Sequence, residues 1–126
     1  MIDFKNGSSI YSKLKAVSDD TYASLIVPMF TDGESILGTF KGICDGVVFT
    51  NKRIISINAQ GLTGTKKDFT SLPYSKIQAF SVETAGVLDY DSELDLWFSG
   101  IGRVRFEFSR NANVTAICKM ISERTL

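Results

Sequence analysis

The sequence predicts a mainly β domain of the α+β class: a seven-stranded antiparallel barrel or sandwich, capped by a C-terminal helix and preceded by short N-terminal helices. Across residues 34–109, short stretches of alternating apolar and polar residues are separated by Gly, Asn, Asp and Ser, a pattern typical of strands and turns. In residues 1–33 and after Asn111, apolar residues recur at helical spacing instead. We therefore divide the chain into an N-terminal helical segment, 1–33, and a β domain, 34–126.

Two short helices are expected in the N-terminal segment. Ile10, Leu14 and Val17 indicate the first, because they recur at the spacing of one helix face. Ser18 offers an N-cap hydroxyl for the second helix, and Pro28 ends or kinks it. The apolar residues of that second helix are Tyr22, Leu25, Ile26, Met29 and Phe30.

The seven strands are expected at about residues 34–41, 44–50, 53–59, 66–72, 76–85, 91–98 and 103–109. Asn51 and Lys52 fit a tight two-residue hairpin loop, which opposes Phe49 to Ile54. Gly61 marks a more open turn, because glycine tolerates positive φ.

The register of the last hairpin follows from its alternation. A single register places the aliphatic and phenyl groups on one face, and a slip of one residue would send them to solvent. It pairs Leu94 with Phe106, Leu96 with Val104, Asp95 with Arg105 and Trp97 with Arg103. The last of these pairs predicts a cation–π contact.

A C-terminal amphipathic helix is expected after Asn111. Its apolar stripe consists of Val114, Ile117, Cys118 and Ile121, and Asn111 or Asn113 is the expected cap. A helix that follows a run of antiparallel strands is expected to close the open end of the barrel.

Composition excludes several functions. Lys plus Arg and Asp plus Glu each count 14, so the formal charge is zero, which argues against nucleic-acid binding. The chain has no histidine, so imidazole-dependent triads and the usual zinc sites cannot form. We therefore expect no enzymatic activity and no cofactor.

The expected location is the cytoplasm. Cys44 and Cys118 do not make a disulfide-scaffold pattern, and the sequence shows neither a cationic leader nor an apolar run long enough to cross a bilayer.

Two charged clusters are candidate binding sites. The acidic residues Asp89, Asp91, Glu93 and Asp95 fail as an EF-hand loop, since Leu94 and Gly100 occupy the positions that need glycine and glutamate. They indicate a solvated strand face, and no metal site is expected. Lys66, Lys67 and Lys76 define a weak candidate anion patch.

Several segments carry a family resemblance: Val48-Phe49-Thr50-Asn51-Lys52-Arg53, then Leu72-Pro73-Tyr74-Ser75-Lys76-Ile77, then Phe80-Ser81-Val82-Glu83-Thr84-Ala85-Gly86, then Glu93-Leu94 and Trp97. With these segments the chain resembles the bacterial pleckstrin-homology (PH) domain family over residues 34–125. The resemblance implies seven strands in two near-orthogonal sheets with a C-terminal helix. Members of the family generally have no assigned biochemical role, and some assemble into rings.

Phosphoinositide binding is not expected. Eukaryotic domains of this fold that bind such lipids use several basic residues in the loop between the first two strands of the fold. The corresponding loop here, residues 41–45, has one base, Lys41, and one acid, Asp45. A lone lysine cannot clamp a multiply charged phosphate.

The predicted function is a non-catalytic protein-interaction or scaffold module that self-associates into a homo-oligomer, and another protein is the second candidate partner. A lipid- or membrane-associated adaptor is the alternative. The N-terminal segment is rich in aromatic residues that either pack outside the barrel or face another subunit. The second option is preferred, with an interface at Tyr22, Leu25, Ile26, Met29, Phe30, Phe69 and Leu72.

Overall fold

The computed structural model describes residues 2, 8–60, 66–84 and 91–126. These residues contain eight strands and two α-helices, in the order β1 (Ser8–Val17), α1 (Asp20–Ile26), β2 (Ile36–Lys41), β3 (Asp45–Thr50), β4 (Arg53–Gln60), β5 (Lys66–Pro73), β6 (Ile77–Glu83), β7 (Ser92–Phe98), β8 (Gly102–Phe108) and α2 (Val114–Thr125). Short 3₁₀ turns follow α1 at Val27–Met29 and β5 at Tyr74–Lys76.

The strands form one continuous curled sheet, in the order β5-β4-β3-β2-β1-β8-β7-β6. Strands β5 and β6 are its two ends, so the described strands make a half-barrel, and α2 packs near β6, β7 and the second 3₁₀ turn. The mainly β, PH-like fold with a capping C-terminal helix is confirmed. All seven predicted strands are present, and an eighth strand joins what the resemblance implied to be two sheets.

The predicted helix around Ile10, Leu14 and Val17 is wrong, because these residues lie in β1. This strand runs parallel to β8 in its first part and antiparallel to β2 in its last part. Its register shifts between Tyr11 and Leu14, which are both buried although they are three residues apart. The bulge therefore puts buried residues three positions apart, a spacing that is also typical of a helix. The second predicted helix is confirmed as α1.

Both predicted hairpin registers are confirmed. Phe49 opposes Ile54 across β3 and β4, and the four predicted pairs of β7 and β8 form as expected. The cation–π contact of Trp97 with Arg103 stays a prediction, although the two residues are register partners. The turn at Gly61 lies outside the described residues.

The main core fills the inside of the half-barrel. Aliphatic side chains and aromatic rings fill it together, and the rings contact one another, with Phe40 and Phe108 at a centroid distance of 4.9 Å and Tyr11 and Phe106 at 5.2 Å. The apolar face of α2 covers this core with Val114, Ile117 and Ile121. The N-cap of α2 is Asn113, whose Oδ1 accepts from the Ala116 N–H at 3.1 Å.

A second, smaller core lies where α1 packs on the sheet. Tyr22 and Ile26 of α1 contact Val48, Ile55 and Ile57, with Phe30, Ile36 and Phe69 at the margin. Part of the aromatic surplus of the N-terminal segment is thus accommodated within the chain: Tyr11 enters the main core, and Tyr22 enters this one. The division of the chain at residue 33 stays a prediction, although β1 belongs to the same sheet as the later strands.

Candidate functional site

The β3–β4 turn binds the segment that links α1 to β2. Asn51 donates from Nδ2 to the Gly33 carbonyl at 2.9 Å and accepts from the Ser35 N–H at 2.8 Å. Lys52 donates from Nζ to the Asp32 carbonyl at 2.5 Å. These bonds to the main chain fix the position of the segment, so these two motif residues have a structural role.

Arg53 makes the strongest contacts of this turn. Its Nε and Nη2 donate to the two carboxylate oxygens of Glu34, at 2.9 and 3.1 Å, in a bidentate ion pair. The Arg53 guanidinium also donates to the Met29 carbonyl at 2.9 Å and to Ser71 Oγ at 3.0 Å. One side chain therefore fixes the 3₁₀ turn after α1 beside β5.

The Glu34 side chain is fully shielded from water, with an exposure of 0%. Burial by itself raises the pKa of this carboxyl group. The hydrogen bonds from Arg53, from the Thr31 N–H and from the Thr50 hydroxyl outweigh that effect and hold its pKa below the usual range. Glu34 is therefore ionised at neutral pH and bound on both oxygens.

The structure separates the residues of the predicted interface into two groups. Tyr22, Ile26 and Leu72 are buried within the chain at 7% exposure or less, so they offer almost no surface. Leu25 and Met29 are 44% and 43% exposed, whereas Phe30 and Phe69 are half-buried. The exposed apolar residues of the predicted interface lie on the outer side of α1 and its 3₁₀ turn, where Val27 is also exposed.

This apolar surface adjoins a sheet edge. Strand β5 pairs with β4 on one side, and within the described residues no strand pairs with its other side. Arg53 connects Met29 to Ser71 of β5, and Phe69 of β5 packs against the cluster of Tyr22 and Ile26. We call the exposed side chains of Leu25, Val27 and Met29, together with the free side of β5, the edge surface.

The predicted anion patch is not brought together. Lys66 and Lys67 begin β5, whereas Lys76 lies beyond its other end, at Pro73. A strand rises about 3.3 Å per residue, so the two groups are on the order of 20 Å apart. All three lysines are exposed, and whether they bind anions stays a prediction.

The structure brings together three other lysines that the sequence did not single out. Lys13, Lys15 and Lys41 line a cleft of about 210 Å³ together with Gly42 and Ile43. Two of these lysines lie in β1. Because the sequence analysis assigned that segment to a helix, it did not predict that they meet Lys41. The alternation of Lys13 and Lys15 around buried Leu14 is the one signal that could have indicated it.

A larger cavity of about 320 Å³ lies beside α2. Its walls include Leu37, Phe40, Phe49, Ile117 and Met120, with Asn111 and Asn113 at the margin. The walls are mainly apolar, and none of the described residues that line this cavity is charged.

The outer face of β7 and β8 carries an ion-pair network. Arg105 donates to both carboxylate oxygens of Asp95 at 2.8 and 3.0 Å and also pairs with Glu93 at 3.3 Å. Burial raises the pKa of Glu93, and the nearby carboxylates of Glu83 and Glu107 act in the same direction. Among the described residues no group of acids and cysteines is arranged to hold a metal, and Asp89 lies outside them.

Cys44 is exposed in the loop between β2 and β3, and Cys118 is half-buried on α2. No helix in the described part of the chain is long and apolar enough to span a membrane.

Comparison with known proteins agrees with this architecture. The bacterial PH domain family matches residues 6–125. The uncharacterized protein YjqA of Bacillus subtilis is 43% identical over 93 residues, which cover 72% of this chain and 74% of that protein.

Solved structures agree as well. A DUF1696 family protein with a pleckstrin-homology domain from Shewanella loihica is 38% identical with a TM-score of 0.79, covering 92% of this chain and all of the other. A pleckstrin-homology domain from Shewanella amazonensis is 40% identical with a TM-score of 0.66, covering 87% of this chain and 90% of the other.

Proposed function

We propose that this chain, which belongs to the bacterial PH domain family, is a non-catalytic protein-interaction module that assembles with copies of itself. Domains of this family are generally non-catalytic. A cytoplasmic scaffold formed by such an assembly is the role that we infer.

The observation that carries the proposal is the edge surface. An edge strand presents unpaired backbone N–H and C=O groups, which are ready to pair with a strand of another chain. Leu25, Val27 and Met29 expose apolar side chains, and Arg53 connects the Met29 carbonyl to Ser71 on that edge strand. Backbone pairing and apolar burial can therefore act on the same partner.

The ends of β5 limit how another strand can pair with it. Lys66 and Lys67 carry charge at its start, and Pro73 at its end has no N–H to donate. Lysine and proline at an edge discourage open-ended strand addition. The segment between them, residues 69–72, is where we expect a second copy to pair, so a closed assembly is favoured over fibres.

The test is the native mass in solution, measured by size exclusion with light scattering at several concentrations. The monomer mass is 13.9 kDa. We expect a discrete assembly that persists on dilution, and a monomer at every concentration would refute self-association.

A double variant, Leu25→Glu/Met29→Glu, locates the interface. Both side chains are exposed, so the fold should survive while the assembly dissociates. Ile101→Glu is the matched control, because Ile101 is 47% exposed in the β7–β8 turn, away from β5. Equal loss of assembly in both variants would show that the edge surface is not the interface.

A further inference from the structure

Three lysines converge where β1 meets β2. Lys13, Lys15 and Lys41 surround the 210 Å³ cleft, and in the described part of the chain none of them forms an ion pair. The formal charge of the whole chain is zero, so this cleft is a local concentration of positive charge. Such a local field attracts anions even though the protein as a whole is not basic.

The pairing of the two strands adds repulsion within the cleft. Lys15 and Lys41 are direct partners in the antiparallel register of β1 and β2. Like charges that oppose each other across a sheet are destabilising. Bound negative charge between the two ammonium groups would remove that repulsion.

The backbone of the third lysine is also unfavourable. Lys13 has a φ of 56°, in the left-handed region that glycine or asparagine usually occupies. This conformation turns the chain at the bulge of β1, where pairing changes from β8 to β2. Strain of this kind clusters at functional sites, and here it coincides with the like-charge pair.

The loop after β2 completes the cleft. The Gly42 N–H donates to the Asp45 carbonyl at 2.7 Å, and a Cβ on Gly42 would come within 2.8 Å of the Ser12 carbonyl. Only glycine permits that approach, so the loop lies against β1. Ile43, the next residue, is 79% exposed beside the lysines.

We propose that this cleft binds a phosphate-bearing anion through the ammonium groups of Lys13, Lys15 and Lys41. The loop sequence alone offers one lysine, which argued against phosphate binding there; β1 supplies the other two. The phosphate can belong to a free molecule or to a lipid headgroup. In the second case the exposed Ile43 would enter the membrane interface. The site does not depend on the proposed self-association.

Two arms of one experiment distinguish these sources. The first titrates inorganic pyrophosphate and follows the backbone amide signals of residues 41–45 by NMR. The second measures co-sedimentation with phosphatidylcholine vesicles that either contain or lack phosphatidylserine, at low and at physiological ionic strength. Salt should weaken binding in both arms, because exposed charges are screened over about 10 Å at 0.1 M.

The decisive variant replaces all three lysines by glutamine. A lysine near an anionic membrane surface contributes about 1 kcal/mol, or roughly fivefold, so the triple variant should bind vesicles on the order of 100-fold more weakly. The matched control replaces Lys66, Lys67 and Lys76 by glutamine, which removes the same charge elsewhere. Circular dichroism is used to check that both variants fold.

Each outcome is informative. Binding of pyrophosphate alone supports the site with a free phosphate as its ligand. Binding of phosphatidylserine vesicles that Ile43→Ser weakens supports it with a lipid headgroup. No binding in either arm, or equal loss in both triple variants, overturns the proposal.

Discussion

Arg53→Met is expected to destabilise the fold more than Glu34→Gln, although both break the same ion pair. The Glu34 side chain is fully shielded from water, whereas that of Arg53 is 22% exposed. Removing the arginine leaves a buried carboxylate without its countercharge. Removing the acid leaves a guanidinium that can reach water and still donates to Met29 and Ser71.

The contacts set the magnitude. Arg53→Met removes two charge-assisted hydrogen bonds to Glu34, and breaking a buried pair costs about 3–5 kcal/mol. The Thr31 N–H and the Thr50 hydroxyl still bind Glu34, at 3.0 and 2.7 Å, so we expect about 3 kcal/mol of lost stability. Glu34→Gln keeps an acceptor for these donors, and we expect about 1–2 kcal/mol.

Urea unfolding followed by circular dichroism measures both losses, at one fixed protein concentration because self-association would add to the apparent stability. The double variant should lose less stability than the sum of the single variants, because the residues contact each other. Equal losses, or a larger loss for Glu34→Gln, would show that the burial of Glu34 does not govern this ion pair.

Three further predictions concern stability. The pKa of Glu34 is lowered from 4.5, so its ionisation stabilises the fold above that pH and this contribution is lost as the pH falls through the lower folded pKa. Glu34→Gln lacks this contribution at every pH, so its free energy of unfolding should fall less than that of the wild type as the pH is lowered. An acid titration of both proteins, followed by circular dichroism, measures the difference. Lys13→Gly should raise the free energy of unfolding by about 0.5–1 kcal/mol, because relief of a left-handed φ exceeds the added entropy of glycine; a lower urea midpoint would contradict the strain. Asp95→Asn should lower the free energy of unfolding by about 1–2 kcal/mol, because Asp95 is 7% exposed and holds Arg105 on both oxygens. If the urea unfolding midpoint of Asp95→Asn equals that of the wild type, Asp95 does not have that role.

The sequence predicted the hairpins well because only one strand register buries all of their apolar residues. Leu94, Leu96 and Phe98 reach the core together only in the observed register with β8. A slip by one residue would expose all three side chains, so the hydrophobic effect alone selects the register. The Asn51–Lys52 loop was predictable for a similar reason, because its length fixes which residues pair.

Strand β1 could not be predicted in the same way. Its bulge places the buried residues Tyr11 and Leu14 three apart, a spacing that helices also show. Its partners, β2 and β8, are distant in the sequence, so no local turn reveals the pairing. The lysine cleft could not be predicted either, because Lys13 and Lys15 lie beside Lys41 only when β1 pairs with β2.

Part of the predicted interface is buried within the chain for a related reason. Apolar residues of α1 were identified correctly, but the sequence does not show which of them face the sheet. Tyr22 and Ile26, four residues apart, turn toward Val48 and Ile55, which leaves Leu25 outside. The side of α1 that is free for a partner depends on the angle at which the helix packs, and the Arg53 contacts fix the segment that follows it.

The Asn51-Lys52-Arg53 motif that helped to indicate the family is explained by folding. Each of the three side chains binds main-chain or carboxylate oxygens of residues 29–34, so none of them needs a ligand to account for its presence. Two other features lack such an internal explanation: the side of β5 that pairs with no strand, and the lysines beside Gly42 that form no ion pair, both within the residues that the structure describes. β3 separates the motif from the lysine cleft by roughly 17 Å, since a strand rises about 3.3 Å per residue. Variants of the motif should therefore change stability and the edge surface while leaving anion binding intact.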